Sequence, residues 1–219
     1  MNNIYMIGDC HVTRLQQQDL KYNNTPITFW GRGGQSAAKF DPSKFSRLDI
    51  KSSKIEFQEK DTEIPKVKSW SDIKDDGTAI FWLGYIDAKN YLHKYQNADE
   101  VAKNYILLIK EHFPNSKIIV IEPHPQFKDS IFMQGENIPV VSYKNRKEQN
   151  DLLCKAIRKY SAEFGIDKVI TQDQILEAIG LEEITKNEMA GYYKEPNDGL
   201  DPKYVEKIYQ LILSNIAVD

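Results

Sequence analysis

Short apolar runs that stop at tight-turn residues constrain this chain more than any other feature. Ile4 to Ile7 is the first, and it stops at Gly8-Asp9. Ile27 to Trp30 is closed by Gly31, Gly33 and Gly34, and Ala79 to Leu83 by Gly84. Lys117 to Ile121 carries an unbroken Ile-Ile-Val-Ile and ends at Glu122-Pro123, and Lys168 to Thr171 is a fifth, weaker run. Runs this short with no polar alternation suit strands buried on both faces, as in a parallel sheet covered by helices.

Helical periodicity fills the later intervals. Val101, Tyr105, Leu108 and Ile109 share one face, with Asp99 as the expected cap. Leu153, Ala156, Ile157, Tyr160 and Phe164 form a second stripe, and Val205, Ile208, Tyr209, Ile212 and Ile216 a third. Strands alternating with helices indicate a doubly wound α/β sheet, whose ligand crevice lies at the carboxyl ends of the strands. The turns after the strands are therefore where chemistry is sought. Asp41 to Gly77 does not fit the alternation. It is polar and lysine-rich, too long for an ordinary connection, and reads as an insertion at 41–77 on one domain spanning 1–219.

Composition supports this. With 219 residues, 41% hydrophobic, the chain can bury a real core, which excludes disorder. A net charge of −3 argues against nucleic acid and anionic membranes as partners. Two cysteines, Cys10 and Cys154, make no disulfide framework. No apolar run approaches the roughly 18 residues of a membrane span, and Met1 to Asp9 reads as a strand, not a signal peptide. The expected location is the cytoplasm, or an assembly formed there.

Four turns carry more specific information. They read Gly8-Asp9-Cys10-His11, then Gly31-Arg32-Gly33-Gly34-Gln35-Ser36, then Gly84-Tyr85-Ile86-Asp87, and finally Asn197-Asp198-Gly199-Leu200-Asp201-Pro202 before the last helix. In order and spacing they resemble the blocks of the SGNH (GDSL-type) hydrolases: Gly-Asp-Ser after strand 1, a glycine after strand 2, Gly-x-Asn-Asp after strand 3, and Asp-x-x-His before the last helix. The resemblance runs from Ile4 to about Ile216. It implies a three-layer α/β/α fold with a flavodoxin-like sheet of five parallel strands in the order 2-1-3-4-5. It also implies ester or amide hydrolysis by a serine, a histidine and an aspartate, with backbone N–H groups and the asparagine holding the oxyanion.

Carried over residue by residue, the resemblance departs at three places. Cys10, preceded by Asp9, stands at the nucleophile position. A thiolate attacks acyl groups, and the turn would lower its pKa; the alternative is a small buried residue at a tight turn. Ile86 stands at the oxyanion asparagine and donates nothing; losing one such donor typically costs about a hundred- to thousand-fold in rate. Asn90, one turn further on, would substitute if a helix begins at Asp87. Asp201 stands at the histidine, and a carboxylate of ordinary pKa is a poor proton shuttle. Asp201-Pro202 also reads as an N-cap followed by proline at the first helical position. Asp198 keeps the family's aspartate position. Gly33, Gly34 and Gly84 keep the glycines that would line the oxyanion site.

Of the four histidines, His124 in Glu122-Pro123-His124-Pro125 follows strand 4 and is the best substitute base for Cys10; the competing reading is a loop histidine pinned by two prolines. His11 adjoins the nucleophile position, but neighbouring turn residues seldom point together. His112 sits near a helix end and His93 on the surface. Arg32 and Arg146 fall where strand-end loops would hold an anionic or hydroxylated group, although Arg146 also opens the second long helix and would dock it. Tyr192 and Tyr193 suit a sugar or a partner surface. No metal-ligand spacing appears, Gly31-Arg32-Gly33-Gly34 lacks the Lys-Ser/Thr of a phosphate loop, and no cofactor is implied. Three altered positions favour a degenerate hydrolase fold kept as a binding or structural module of a larger assembly, with 41–77 as the docking surface; a virus particle or a cell-surface machine would be compatible. The alternative is an esterase or deacetylase acting on acyl esters, those of carbohydrate among them, with Cys10 as nucleophile.

Overall fold

The structure is a computed structural model. It describes residues 3–15, 21–22, 25–31, 35–40, 73–92, 97–126, 142–180, 193–194, 199–200 and 202–216. Most of the expected insertion, 41–72, lies outside these residues.

Five parallel strands form the centre: β1 (Ile4–Gly8), β3 (Thr25–Gly31), β4 (Thr78–Trp82), β5 (Lys117–Ile121) and β6 (Lys168–Ile170). They lie in the order β3-β1-β4-β5-β6, which in parallel-strand numbering is the expected 2-1-3-4-5. A two-residue strand, β2 (Lys21–Tyr22), pairs antiparallel with β3 at one edge. A separate hairpin joins β7 (Tyr193–Lys194) to β8 (Gly199–Leu200).

Side chains alternate across this sheet, and both faces are apolar. Ile4, Met6, Phe29, Ile80, Trp82, Ile119 and Ile121 pack with α1 (Cys10–Leu15), α4 (Gln172–Ile179) and α5 (Pro202–Ile216). Tyr5, Ile7, Trp30, Phe81, Ile118 and Val120 pack with α2 (Ala98–His112) and α3 (Tyr143–Glu163). The result is the three-layer arrangement. Double-sided burial explains why these strands carry no polar alternation.

The helix ends follow local chemistry. Asn97, not Asp99, caps α2: its side chain accepts from the Asp99 backbone N–H at 2.9 Å. Asp99 instead pins α2 to α3 through Lys159 Nζ at 3.0 Å and the Tyr160 hydroxyl. The fifth strand stops at Ile170, one residue short of the expected end, because Thr171 caps α4. Its hydroxyl accepts from Gln174 N, and Gln174 Oε1 accepts from Thr171 N, closing a capping box. Proline opens α5 as expected, at Pro202.

Candidate functional site

The strands end in step. Gly8 is paired with Gly31 and with Trp82, Trp82 with Ile121, and Ile121 with Ile170. The turns beyond them gather along one edge of the sheet, where doubly wound folds hold ligands. Cys10 opens α1 immediately beyond β1, and the Gly84 turn follows β4. The strand β8, between the positions of Asp198 and Asp201, lies against α1. The side chains of Cys10, Asn90 and Tyr193 lie outside the described residues, as do Arg32, Gly33, Gly34, His93, Tyr192, Asp198 and Asp201.

Two glycines make the close packing of this edge feasible. A Cβ on Gly8 would fall 2.4 Å from the Trp82 carbonyl oxygen. Gly84 has φ +109°, and a Cβ there would meet Pro123 Cγ at 2.6 Å. The chain then turns into a helix at Tyr85, whose bonds run in the π pattern over Asp87–Tyr91. The helix thus begins two residues before Asp87, the start assumed for an Asn90 rescue.

The described residues build a buried aromatic and histidine cluster at this edge. Asp9 Oδ1 accepts from the His11 backbone N–H at 2.9 Å and lies 2.8 Å from His11 Nδ1. A carboxylate only accepts, so this bond places the ring proton on Nδ1. The His11 ring sits 4.0 Å from that of His124 and 4.8 Å, edge-on, from that of Tyr85, between centroids. His124 in turn lies 4.3 Å from the Trp82 ring, and Trp82 Nε1 donates to the Glu122 carbonyl at 3.0 Å. His11, Trp82, Tyr85 and His124 are each at most 2% exposed. Burial, reinforced by His11, holds the His124 imidazole well below its ordinary pKa.

His11 is the residue that sequence reasoning missed. Neighbouring residues of a turn seldom point together, whereas α1 already runs there and directs His11 inward with Val12 and Leu15. The spacing of those three residues, i, i+1 and i+4, is that of one helical face, and it was the available signal.

Ile86, at the oxyanion asparagine position, is 9% exposed and belongs to the apolar cluster with Trp82 and Tyr85. Asp87 is wholly buried; its carboxylate accepts from Ala37 N at 2.6 Å and Ala38 N at 3.0 Å. Burial raises its pKa to about 6 against the pull of those two amides, with the Asp9 charge adding to the rise. Arg146 is the fourth residue of α3, fully buried, and donates to Gln126 Oε1 at 2.5 Å. Glu122 accepts from Arg158 Nε at 2.5 Å and from Gln172 N at 2.8 Å, tying β5 to α3 and to the start of α4. Burial outweighs these partners and raises the Glu122 carboxyl above its usual range. Cys154 is buried, and desolvation pushes its thiol well up. Among the described residues no group of three or more His, Cys, Asp and Glu is placed to hold a metal, and no helix is long and apolar enough to cross a membrane.

Solved structures with this fold include a GDSL-like lipase from Bacteroides thetaiotaomicron, with TM-score 0.64 and 14% identity over 98% of this chain and 87% of that one. The carbohydrate acetylesterase Est24 from Sinorhizobium meliloti matches with TM-score 0.60 and 12% identity, covering 99% of both chains. A lipase/acylhydrolase from Enterococcus faecalis matches with TM-score 0.58 and 13% identity over 99% of this chain and 95% of that one. The fold is that of the SGNH/GDSL-type hydrolases. No family model and no curated protein matches by sequence. At this identity the likeness is one of fold, and fold alone does not confer activity. The SGNH/GDSL scaffold here holds, at its carboxyl edge, an isoleucine in the core and two histidines closed off from solvent.

Proposed function

We propose that this chain is a catalytically degenerate member of the GDSL-type scaffold, kept as a binding or structural module of a larger assembly. The observation that carries this reading is Ile86. At the position from which the scaffold's side-chain oxyanion donor would project, the chain packs an apolar residue into its core. A tetrahedral oxyanion left without that donor loses about 2.7–4 kcal/mol of stabilisation. His124 supports the same reading: a wholly buried imidazole with depressed proton affinity is poorly placed to take a proton from a thiol. In sequence, Asp201 stands where the family's histidine would, directly before Pro202.

The ligand of such a module is an acylated carbohydrate at the strand ends, and the 41–77 segment is its docking surface for a protein partner. The test is binding without turnover. An O-acetylated xylo-oligosaccharide raises the melting temperature of the purified chain and is recovered with its acetyl groups intact. Stoichiometric release of acetate, or no thermal shift at any concentration, counts against the reading.

A second reading rests on the bond between Asp9 and His11. An oriented imidazole stands one residue from Cys10, and a cysteine esterase or deacetylase needs a thiol with a base nearby. In that reading Cys10, its proton taken by a histidine of the buried pair, attacks the acyl carbon; the ester C–O bond breaks, the alcohol leaves with that proton, and water hydrolyses the resulting thioester. Loss of turnover in both Cys10→Ala and His11→Gln would favour it.

A further inference from the structure

One buried carboxylate joins the segments that follow two of the strands. The segment Gln35–Phe40 continues from β3 and the Gly84 turn from β4. Asp87, on the second, accepts the consecutive amides of Ala37 and Ala38 on the first, from about fifty residues away. The segment is a compact turn in its own right: Phe40 N donates to the Ala37 carbonyl at 3.2 Å and Lys39 N to Ser36 Oγ at 3.2 Å. Asp87 is thus a clasp on a preformed piece.

We propose that Asp87 is a proton-sensitive clasp on the binding edge, holding the Gln35–Phe40 segment while ionised and loosening it on taking up a proton. The proposal concerns the regulation of the site described above and rests on the reading that this edge binds a ligand.

The coupling follows from hydrogen-bond chemistry. An ionised carboxylate accepts both amides with charge-assisted bonds, roughly twice as strong as neutral ones. A protonated carboxyl must donate through one oxygen and loses acceptor strength at the other. Two N–H groups that favour the ionised form are, by reciprocity, held less tightly by the neutral form. Asp87 is anchored in a helical turn buried at 0% exposure, so the segment can release without carrying the carboxyl into water.

The surroundings bring proton uptake close to neutrality. Asp9, from the turn after β1, adds a second buried negative charge, and burial together with the charges of both aspartates raises the pKa of the buried Tyr105 of α2. Lys89, on the same turn, points over the Tyr85 ring at 5.7 Å, and Lys39, on the clasped segment, over the Tyr91 ring at 5.0 Å. The helix α3, packed against the same turn, contributes Arg146 as its buried charge. Burial resists the charge on Asp87 more than the two amides support it, so its pKa stands near 6.

Amide exchange measures the clasp directly. In the purified wild-type chain, the protection factors of Ala37 and Ala38, corrected for intrinsic exchange, fall about tenfold from about pH 7.5 to about pH 5. Their amide proton shifts titrate over the same range. In Asp87→Asn both become independent of pH in that window. If Asp87→Asn does not fold, the wild-type shifts carry the test alone. Flat or rising protection toward acid, or a pH dependence that survives in Asp87→Asn, overturns the proposal. No ligand or substrate enters this measurement, so its failure would leave the proposed function to the binding and turnover assays, and the reverse holds equally.

Discussion

The imidazole rings of His11 and His124 lie with their centroids 4.0 Å apart in an interior that neither shares with solvent. One is fastened to Asp9, the other faces Trp82. In a scaffold whose relatives include esterases, imidazole at the strand ends would ordinarily suggest catalysis. Here both rings are buried in the protein, and the titration of His124 has consequences for stability.

His124 binds protons less readily folded than unfolded, because burial and His11 disfavour its cation. Below its ordinary range near 6.5 the unfolded chain takes up the proton first, so this contribution is present above about pH 6.5 and is lost as pH falls. Asp87 acts with the opposite sign. Its pKa is raised from 3.8 to about 6, so its contribution is fully present below about pH 4 and is lost as pH rises through 6. That rise corresponds to about 3 kcal/mol for this fully buried group. Urea unfolding across pH 4 to 7 separates the two. His124→Gln becomes relatively more stable in acid than wild type, and Asp87→Asn relatively more stable toward neutrality, each measured against its own value at the other end. Parallel pH profiles for both variants and wild type would contradict the assignment.

Gly84 tests the geometry of the edge itself. A methyl group there meets Pro123 Cγ at 2.6 Å with the backbone at φ +109°. Gly84→Ala therefore costs about 1–3 kcal/mol, combining overpacking with a strained left-handed residue. Gly165, at φ +65° with nothing near its Cβ, is the control, and its alanine variant costs about 1 kcal/mol of backbone strain alone. Equal losses for the two variants would remove the close approach of the Gly84 turn to Pro123.

Restoring the hydrolase positions asks what stands between this scaffold and turnover. Cys10→Ser with Asp201→His gains little, because Ile86 still supplies no donor. Adding Ile86→Asn raises kcat/KM for p-nitrophenyl acetate by about a hundredfold or more over the double variant. It also destabilises the chain by about 1–3 kcal/mol, since a polar group enters a packed apolar cluster. A large gain from the double variant alone would show that Ile86 is not the obstacle.

The layout of the fold was legible because the signals that carry it are physical and local. Ile118 to Ile121 alternate between two apolar layers, so neither face of β5 leaves a polar mark, and a wholly apolar run is what remains. The strand order followed from the resemblance of the turns, and the sheet has it. Strands of two residues, such as β2 and β7–β8, are too short to show any period. Asn97 and Asp99 are both good capping residues two apart, and only the hydrogen bond chooses between them. The site was harder. Ile86 was visible as a missing donor, but its place in the core was not. His124 was expected at a ligand-facing end and lies within the protein, since Pro123 packs toward the Gly84 turn and the ring beyond it meets Trp82. Asp87 entered only as a helix start, because its partners, Ala37 and Ala38, are backbone groups that no sequence pattern announces.

Pre-steady-state hydrolysis of p-nitrophenyl acetate by the wild-type chain bears on the central claim most directly, with Cys10→Ala beside it. The second cysteine, Cys154, is 2% exposed with a thiol raised by burial, so any rapid thiol acylation reports Cys10. A chain whose hydrolytic centre has been given over to packing shows no burst of p-nitrophenolate and a steady rate equal to that of Cys10→Ala. A stoichiometric burst followed by sustained turnover, both lost in Cys10→Ala, would contradict it.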